Sequence, residues 1–120
     1  MILISSRVHP GETPASWAVE GILHFLTSQA EEAQIIRKNF QVIVVPMLNP
    51  DGVEEGLYRL DTRGHNLNRY YLVSDNRQPS IYGMKHLVQH YHTTKRLLYY
   101  FDIHGHPSQK GSFLYGNALD

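Results

Sequence analysis

The run Phe40–Leu48, FQVIVVPML, contains no charged residue. It is far too short to span a bilayer, and it reads as a strand buried on both faces of a parallel sheet. Two other runs, each with a single charged residue, also read as strands: ILISSRV at Ile2–Val8 and LLYYFDI at Leu97–Ile103. Between the first two runs, Thr13 is the expected N-cap, with Pro14 at the first helical position. Trp17, Ile22, Phe25 and Leu26 then form an apolar stripe ending near Thr27. Glu31–Asn39 fits a short second helix. NPDG, from Asn49 to Gly52, ends the second strand with strong turn chemistry. Gly52–Gln78 is polar and without a sustained period, and a loop of that length in a compact domain is usually functional. Ser80–His92 returns to helical spacing through Ile81, Met84, Leu87, Val88 and Tyr91. Strand, helix, strand, helix, strand implies an α/β fold with a mostly parallel sheet and flanking helices.

Composition removes several classes of function. At 120 residues the chain is about one domain long, with 42% apolar and 18% charged residues, which is globular and not disordered. Zero formal net charge gives no electrostatic reason to expect nucleic acid or an acidic membrane surface as a partner. No cysteine is present, so disulfides and thiolate metal sites are out, which fits the cytosol. MILISSRV has no basic segment before it and reads as a strand, not a secretory signal. A strand starting at Met1, and another expected to begin within Gly111–Asp120, suggest a piece of a larger domain. There is no internal repeat, low-complexity tract or linker.

The polar residues are informative through where they fall. His9 and Glu12 follow the first strand, Asn49 and Asp51 the second, and His104 the third. Ligands of open α/β sheets bind beyond the carboxyl ends of the strands, so these residues should meet at one edge. Two histidines and a carboxylate with an open fourth position are the donor set of a catalytic zinc site. Each part has a plainer reading. HPGE alone is a strand-to-helix turn that carries a His and a Glu, and HGH is a tight turn. His86, His90 and His92 fall within one helical stretch and are expected at the surface. In the long loop, Arg63 and Arg77 read as ordinary surface arginines. Arg59 and Arg69 flank a turn-rich segment near the expected metal, where a planar guanidinium pairs well with an anionic substrate end, and Asn68 adds a neutral donor.

RVHPGET, VPMLNPDG, YR, NLNR and DIHGH occur here in the order found in the zinc metallocarboxypeptidases, and the chain resembles their cytosolic carboxypeptidase branch over essentially its whole length. TRGHNLNRYY and HPSQKGSFLYGN are most similar to the type that removes branch-point glutamates from tubulin. The resemblance implies one zinc ion held by His9, Glu12 and His104. It implies that Arg59 stabilises the oxyanion, and that Asn68 and Arg69 grip the substrate's terminal carboxylate. Asn66 falls where many relatives orient the first zinc histidine with an aspartate; an amide oxygen accepts the same hydrogen bond without the charge. His106 falls where extracellular relatives line the substrate groove with a tyrosine, and Asp102 is expected to support the site from behind.

The implied fold is the N-terminal part of a zinc carboxypeptidase-like domain. Residues 1–120 are expected to lack both its C-terminal part and the family's N-terminal β-sandwich. The family's glutamate general base and a neighbouring tyrosine lie further along than Asp120. Asp102, Glu54 and Glu55 are the nearby carboxylates to weigh as substitutes, and this chain alone is expected to be inactive. The implied parent acts in the cytosol on C-terminal peptide or isopeptide bonds, releasing glutamate from protein tails such as those of tubulin. Two other readings remain open: a metal-dependent deacylase of N-acyl amino acids, and a non-catalytic zinc-binding fragment.

Overall fold

The structure is a computed structural model that describes residues 1–116. Three parallel strands, β1 (Ile2–Ser6), β2 (Val42–Val45) and β3 (Tyr99–Ile103), form a sheet in the order β2-β1-β3. Helices α1 (Thr13–Thr27) and α2 (Glu31–Asn39) follow β1, a short α3 (Pro50–Glu54) follows β2, and α4 (Pro79–Thr93) leads into β3. The expected α/β architecture is therefore present. Because β1 lies between β2 and β3, the chain runs from it to one side and then crosses back to the other, and the crevice beyond its carboxyl end is a topological switch point.

Leu3, Val8, Leu48, Leu67, Ile81 and Met84 make the buried core, which joins β1 to α4 and to the long loop. Burying a side chain of this size contributes about 1.5–3 kcal/mol. Helix α1 lies against β1 and β3. Its inward stripe is Ala15, Val19, Ile22 and Leu26, whereas Trp17 and Phe25, expected on that stripe, point outward and are exposed. Small side chains allow α1 to approach the sheet closely, so Ala15 and Val19 take the buried positions. Helix α2 carries Glu31 and Glu32 in its first turn and Arg37 and Lys38 in its last, matching the helix dipole at both ends.

Several element bounds differ from the sequence expectation for local reasons. Strand β1 stops at Ser6 because Arg7 adopts a left-handed φ of 55°. The second strand covers only Val42–Val45 and is half-buried, not enclosed on both faces, since it ends the strand order among the described residues. Pro46 then offers no N–H to extend the ladder, although Leu48 N still donates to Ser6 O at 2.8 Å. NPDG goes beyond a turn into α3, with Pro50 in its first turn and Asn49 Oδ1 accepting from Gly52 N at 3.1 Å. Glu12, not Thr13, occupies the N-cap of α1, and its carboxylate makes no cap because it is engaged elsewhere. The long loop contains one 3₁₀ turn, Leu67–Arg69, anchored by buried Leu67. No strand forms over residues 111–116, and residues 117–120 of the expected Gly111–Asp120 strand lie outside the described residues.

Candidate metal centre

The turn after β1 is held from two sides. Arg7, 8% exposed, donates from Nε to Pro10 O at 2.8 Å and from Nη1 to Ser16 Oγ, tying the HPGE turn to α1. On the other side Gly11 N donates to Tyr58 O at 2.7 Å, and a Cβ at Gly11 would lie 2.6 Å from the Tyr58 ring. Glycine is therefore required at that close approach. Arg7 was not legible as a site residue. Its one signal is a full charge inside an otherwise uncharged strand run.

This turn directs His9 and Glu12 toward His104 at the end of β3. His9 Nδ1 is 2.7 Å from Glu12 Oε1, and His104 Nδ1 is 3.1 Å from Glu12 Oε2. The two imidazole centroids are 5.3 Å apart. One donor atom from each of the three residues lies within 4.8 Å of the others. Gly105 N donates to Glu12 Oε2 at 2.8 Å, and the turn at Gly105 brings its backbone close against Glu12, where a Cβ would sit 3.2 Å from Glu12 Cβ.

The outer nitrogens fix the tautomers. His9 Nε2 is 3.0 Å from Asn66 Oδ1, an atom that also accepts from Asn68 N at 3.2 Å. His104 Nε2 is 2.8 Å from Asp102 Oδ2. Both Nε2 atoms face acceptors and must carry hydrogen, so in the neutral rings both Nδ1 atoms turn lone pairs toward the Glu12 carboxylate. Acceptors at 2.7 and 3.1 Å repel unless a proton or a metal cation lies among them. Consistently, the hydrogen bond to Asp102, opposed by burial and reinforced by the charges of Asp102 and Glu12, raises the His104 pKa above the ordinary imidazole value. Two nitrogens and a carboxylate oxygen, with both imidazoles oriented from behind, fit zinc.

A cavity of about 170 Å³ opens beside Glu12, lined by Gly11, Tyr58, Arg59, Gly105, His106 and Pro107 among others. Arg59 Nη1 is 3.8 Å from Glu12 Oε1, with the rest of its side chain about half exposed. His106 Nδ1 accepts from Gln109 N at 3.0 Å, which leaves Nε2–H as the donor on its free edge. Asn68 and Arg69 stand on the 3₁₀ turn suspended from Asn66, outside the lining of this cavity, and Arg69 makes no ion pair among the described residues. Asn49 is buried and structural, donating to Val8 O and Leu60 O, while Asp51, Glu54 and Glu55 are exposed on or just after α3. A wider hollow of about 430 Å³ is bounded by α2 residues alone and gathers no such set of groups.

The family model for zinc carboxypeptidases matches residues 1–107, a span that contains the whole donor set. The chain is 44% identical to cytosolic carboxypeptidase 6 of Caenorhabditis elegans, over 98% of this chain and 26% of that protein. It is 47% identical to cytosolic carboxypeptidase 1 of Mus musculus, over 98% of this chain and 10% of that protein. Among solved structures, a metallo-carboxypeptidase from Burkholderia cenocepacia superposes with a TM-score of 0.77 at 31% identity, covering 88% of this chain and 28% of that one. A metallo-carboxypeptidase from Pseudomonas aeruginosa, solved in complex with (2-guanidinoethylmercapto)succinic acid, gives a TM-score of 0.70 at 28% identity, with the same coverage of both chains. The chain thus spans between a tenth and about a quarter of these relatives' length.

Proposed function

The chain belongs to the zinc carboxypeptidase family, and from that premise we propose that residues 1–120 are part of the catalytic domain of a zinc-dependent metallocarboxypeptidase that cleaves peptide or isopeptide bonds at protein C-termini. The observation that carries this reading is the approach of one donor atom each from His9, Glu12 and His104 to within 4.8 Å of one another. These three residues would hold the metal. Zinc in such a site supplies Lewis acidity toward a carbonyl oxygen and toward water.

The protein's own groups do the rest. Asn66 and Asp102 keep the two imidazoles in the tautomer that offers Nδ1. Arg59, on the cavity wall, supplies positive charge where an oxyanion develops, and a preorganised donor of this kind acts mainly on the transition state. Asn68 and Arg69 hold the substrate's terminal carboxylate, which restricts cleavage to the chain end. His106 contributes a hydrogen-bond donor to the groove.

A base must also take a proton from the attacking water. Glu12 is the one acid lining the cavity among the described residues, and Asp102 already accepts from both Ser5 and His104. The base is proposed to come from outside this chain, as the small share of each relative that it spans allows. Exposed Leu98, just before β3, and Tyr99 and Phe101 on it support further structure packing there. The substrate is proposed to be a glutamate-rich protein tail in the cytosol, tubulin's included. Two features support it: basic residues around the site, Arg59 and His106 among them, and relatives named as cytosolic carboxypeptidases.

Metal analysis tests the site. The purified protein should hold one zinc per chain, and the His9→Ala/Glu12→Ala variant none; equal zinc in the two would overturn the assignment. Turnover of a polyglutamate-tailed peptide, by residues 1–120 and by a longer chain containing them, tests the function. Comparable rates would place the base within this chain and call for Asp102 and Glu55 to be mutated.

A further inference from the structure

Behind His104 the hydrogen bonding does not stop at Asp102. Ser5 Oγ donates to Asp102 Oδ1 at 2.6 Å, Ser5 Oγ is 2.9 Å from Tyr100 Oη, and Tyr100 Oη is 3.1 Å from Tyr71 Oη. The parallel register explains the first steps, since Ser5 pairs with Asp102, and Tyr100, two residues earlier on β3, points to the same face. Tyr71 enters from the long loop, two residues after the 3₁₀ turn.

The direction of every bond in this chain follows from counting hydrogens. An ionised Asp102 only accepts, so the single Ser5 hydroxyl hydrogen goes to it. Tyr100 must then donate to Ser5, and Tyr71 to Tyr100. Three O–H groups point in one direction and end on the carboxylate that holds His104 Nε2. Burial, with the neighbouring Asp102 charge adding to it, raises the Tyr100 pKa, and burial with Tyr100 close by raises that of Tyr71, so both phenols remain donors.

The consequence is a closed arrangement around the metal group. Asn66 orients His9 directly, and Tyr71, five residues later, reaches His104 through Tyr100, Ser5 and Asp102. We propose that Ser5, Tyr100 and Tyr71 are positioning residues of the metal centre, so that the single loop segment Asn66–Tyr71 sets the orientation of both zinc histidines. This rests on the reading of His9, Glu12 and His104 as the zinc ligands. Without the hydroxyl chain, the Asp102 carboxylate is free to rotate off His104 Nε2, and the imidazole loses its fixed tautomer and aim.

The test is zinc affinity by chelator competition, together with the visible absorption of the cobalt(II)-substituted protein and the melting temperature of the metal-free protein. Tyr100→Phe keeps the ring and removes the hydroxyl. It should weaken zinc by about 10- to 100-fold, the usual cost of losing an outer partner, and should alter the cobalt spectrum. Tyr71→Phe should act in the same direction by less, and Ser5→Ala at least as strongly as Tyr100→Phe. Zinc affinity within twofold of the original and an unchanged cobalt spectrum in Tyr100→Phe would overturn the proposal. So would an equal zinc loss in Leu87→Ala, a packing variant of the same core, at the same fall in metal-free melting temperature. His104→Ala separates the two levels. If it binds zinc like the original protein, the ligand assignment itself fails; if it loses zinc while Tyr100→Phe does not, only the positioning role fails.

Discussion

His9 Nε2 meets Asn66 Oδ1 at 3.0 Å, joining the turn after β1 to a loop residue 57 positions later in the chain. The acceptor is an amide, so it fixes the ring without adding charge behind it. Asn66→Ala should therefore weaken zinc binding by about 10- to 100-fold. Asn66→Asp keeps the acceptor, can still take the Asn68 N–H, and makes the imidazole more basic, so its zinc affinity should equal or exceed that of the original protein. Competition with a chromogenic chelator measures both. Weaker binding by the aspartate would mean that the loop needs the amide nitrogen instead.

Arg59 and Arg69 should separate kinetically in the intact protein. Arg59 lines the cavity beside Glu12, whereas Arg69 stands on the 3₁₀ turn outside that lining. Arg59→Ala should lower kcat by roughly 10²- to 10³-fold, because its charge matters when the oxyanion forms. Arg69→Ala removes a charged partner of the substrate carboxylate and should raise KM by about 10- to 100-fold with a smaller change in kcat. Steady-state rates on peptides with free and amidated C-termini check both. If Arg59→Ala moved KM alone, Arg59 would be a ground-state binding residue.

The sequence made the order of elements and the three zinc-ligand candidates readable, because each depends on local signals: apolar runs, proline and glycine punctuation, and histidines placed after strands. What it hid depends on register and on long-range approach. Ser5 looked like a strand residue until its pairing with Asp102 placed it behind a ligand. Tyr71 and Tyr100 are 29 residues apart, one in the polar loop and the other in the third strand run, and only their folded contact makes them a relay. Trp17 and Phe25 were misplaced because apolar size is a poor guide on a helix whose fully buried positions are taken by the smaller Ala15 and Val19. The N-cap was misassigned for a related reason, since Glu12 gives its carboxylate to His9, His104 and Gly105 and leaves the helix start uncapped.

Alkaline pH should expose the buried phenols. Both Tyr71 and Tyr100 have pKa values raised in the folded protein, chiefly by burial. Tyrosine in the unfolded chain ionises near 10. Below that value both states hold the proton and the stabilisation is fully present. Above it the unfolded state sheds protons that the folded state retains, so stability falls as pH rises toward the folded pKa. Phenolate absorbance assigned to these two residues, by difference from Tyr71→Phe and Tyr100→Phe, should appear only together with the loss of helical circular dichroism. Ionisation while the protein stays folded would contradict their burial.

Gly11 tests whether the turn and the loop are one unit. A methyl group there would sit 2.6 Å from Tyr58 Cδ2 and 2.7 Å from Tyr58 O, closer than any relaxed contact. The Tyr58 ring is largely exposed and can swing away, but its carbonyl cannot, because it receives the Gly11 N–H at 2.7 Å. Gly11→Ala must therefore push the 58–59 backbone outward and stretch that hydrogen bond. Overpacking of this kind costs about 1–3 kcal/mol, read as a lower denaturation midpoint with an unchanged slope. Arg59 moves with Tyr58, while His9 and Glu12 stay tied through Arg7 to Pro10 and α1. The variant should therefore lose kcat in the intact protein far more than it loses zinc. Zinc and kcat falling in equal proportion would show that the turn, and not the loop, had given way.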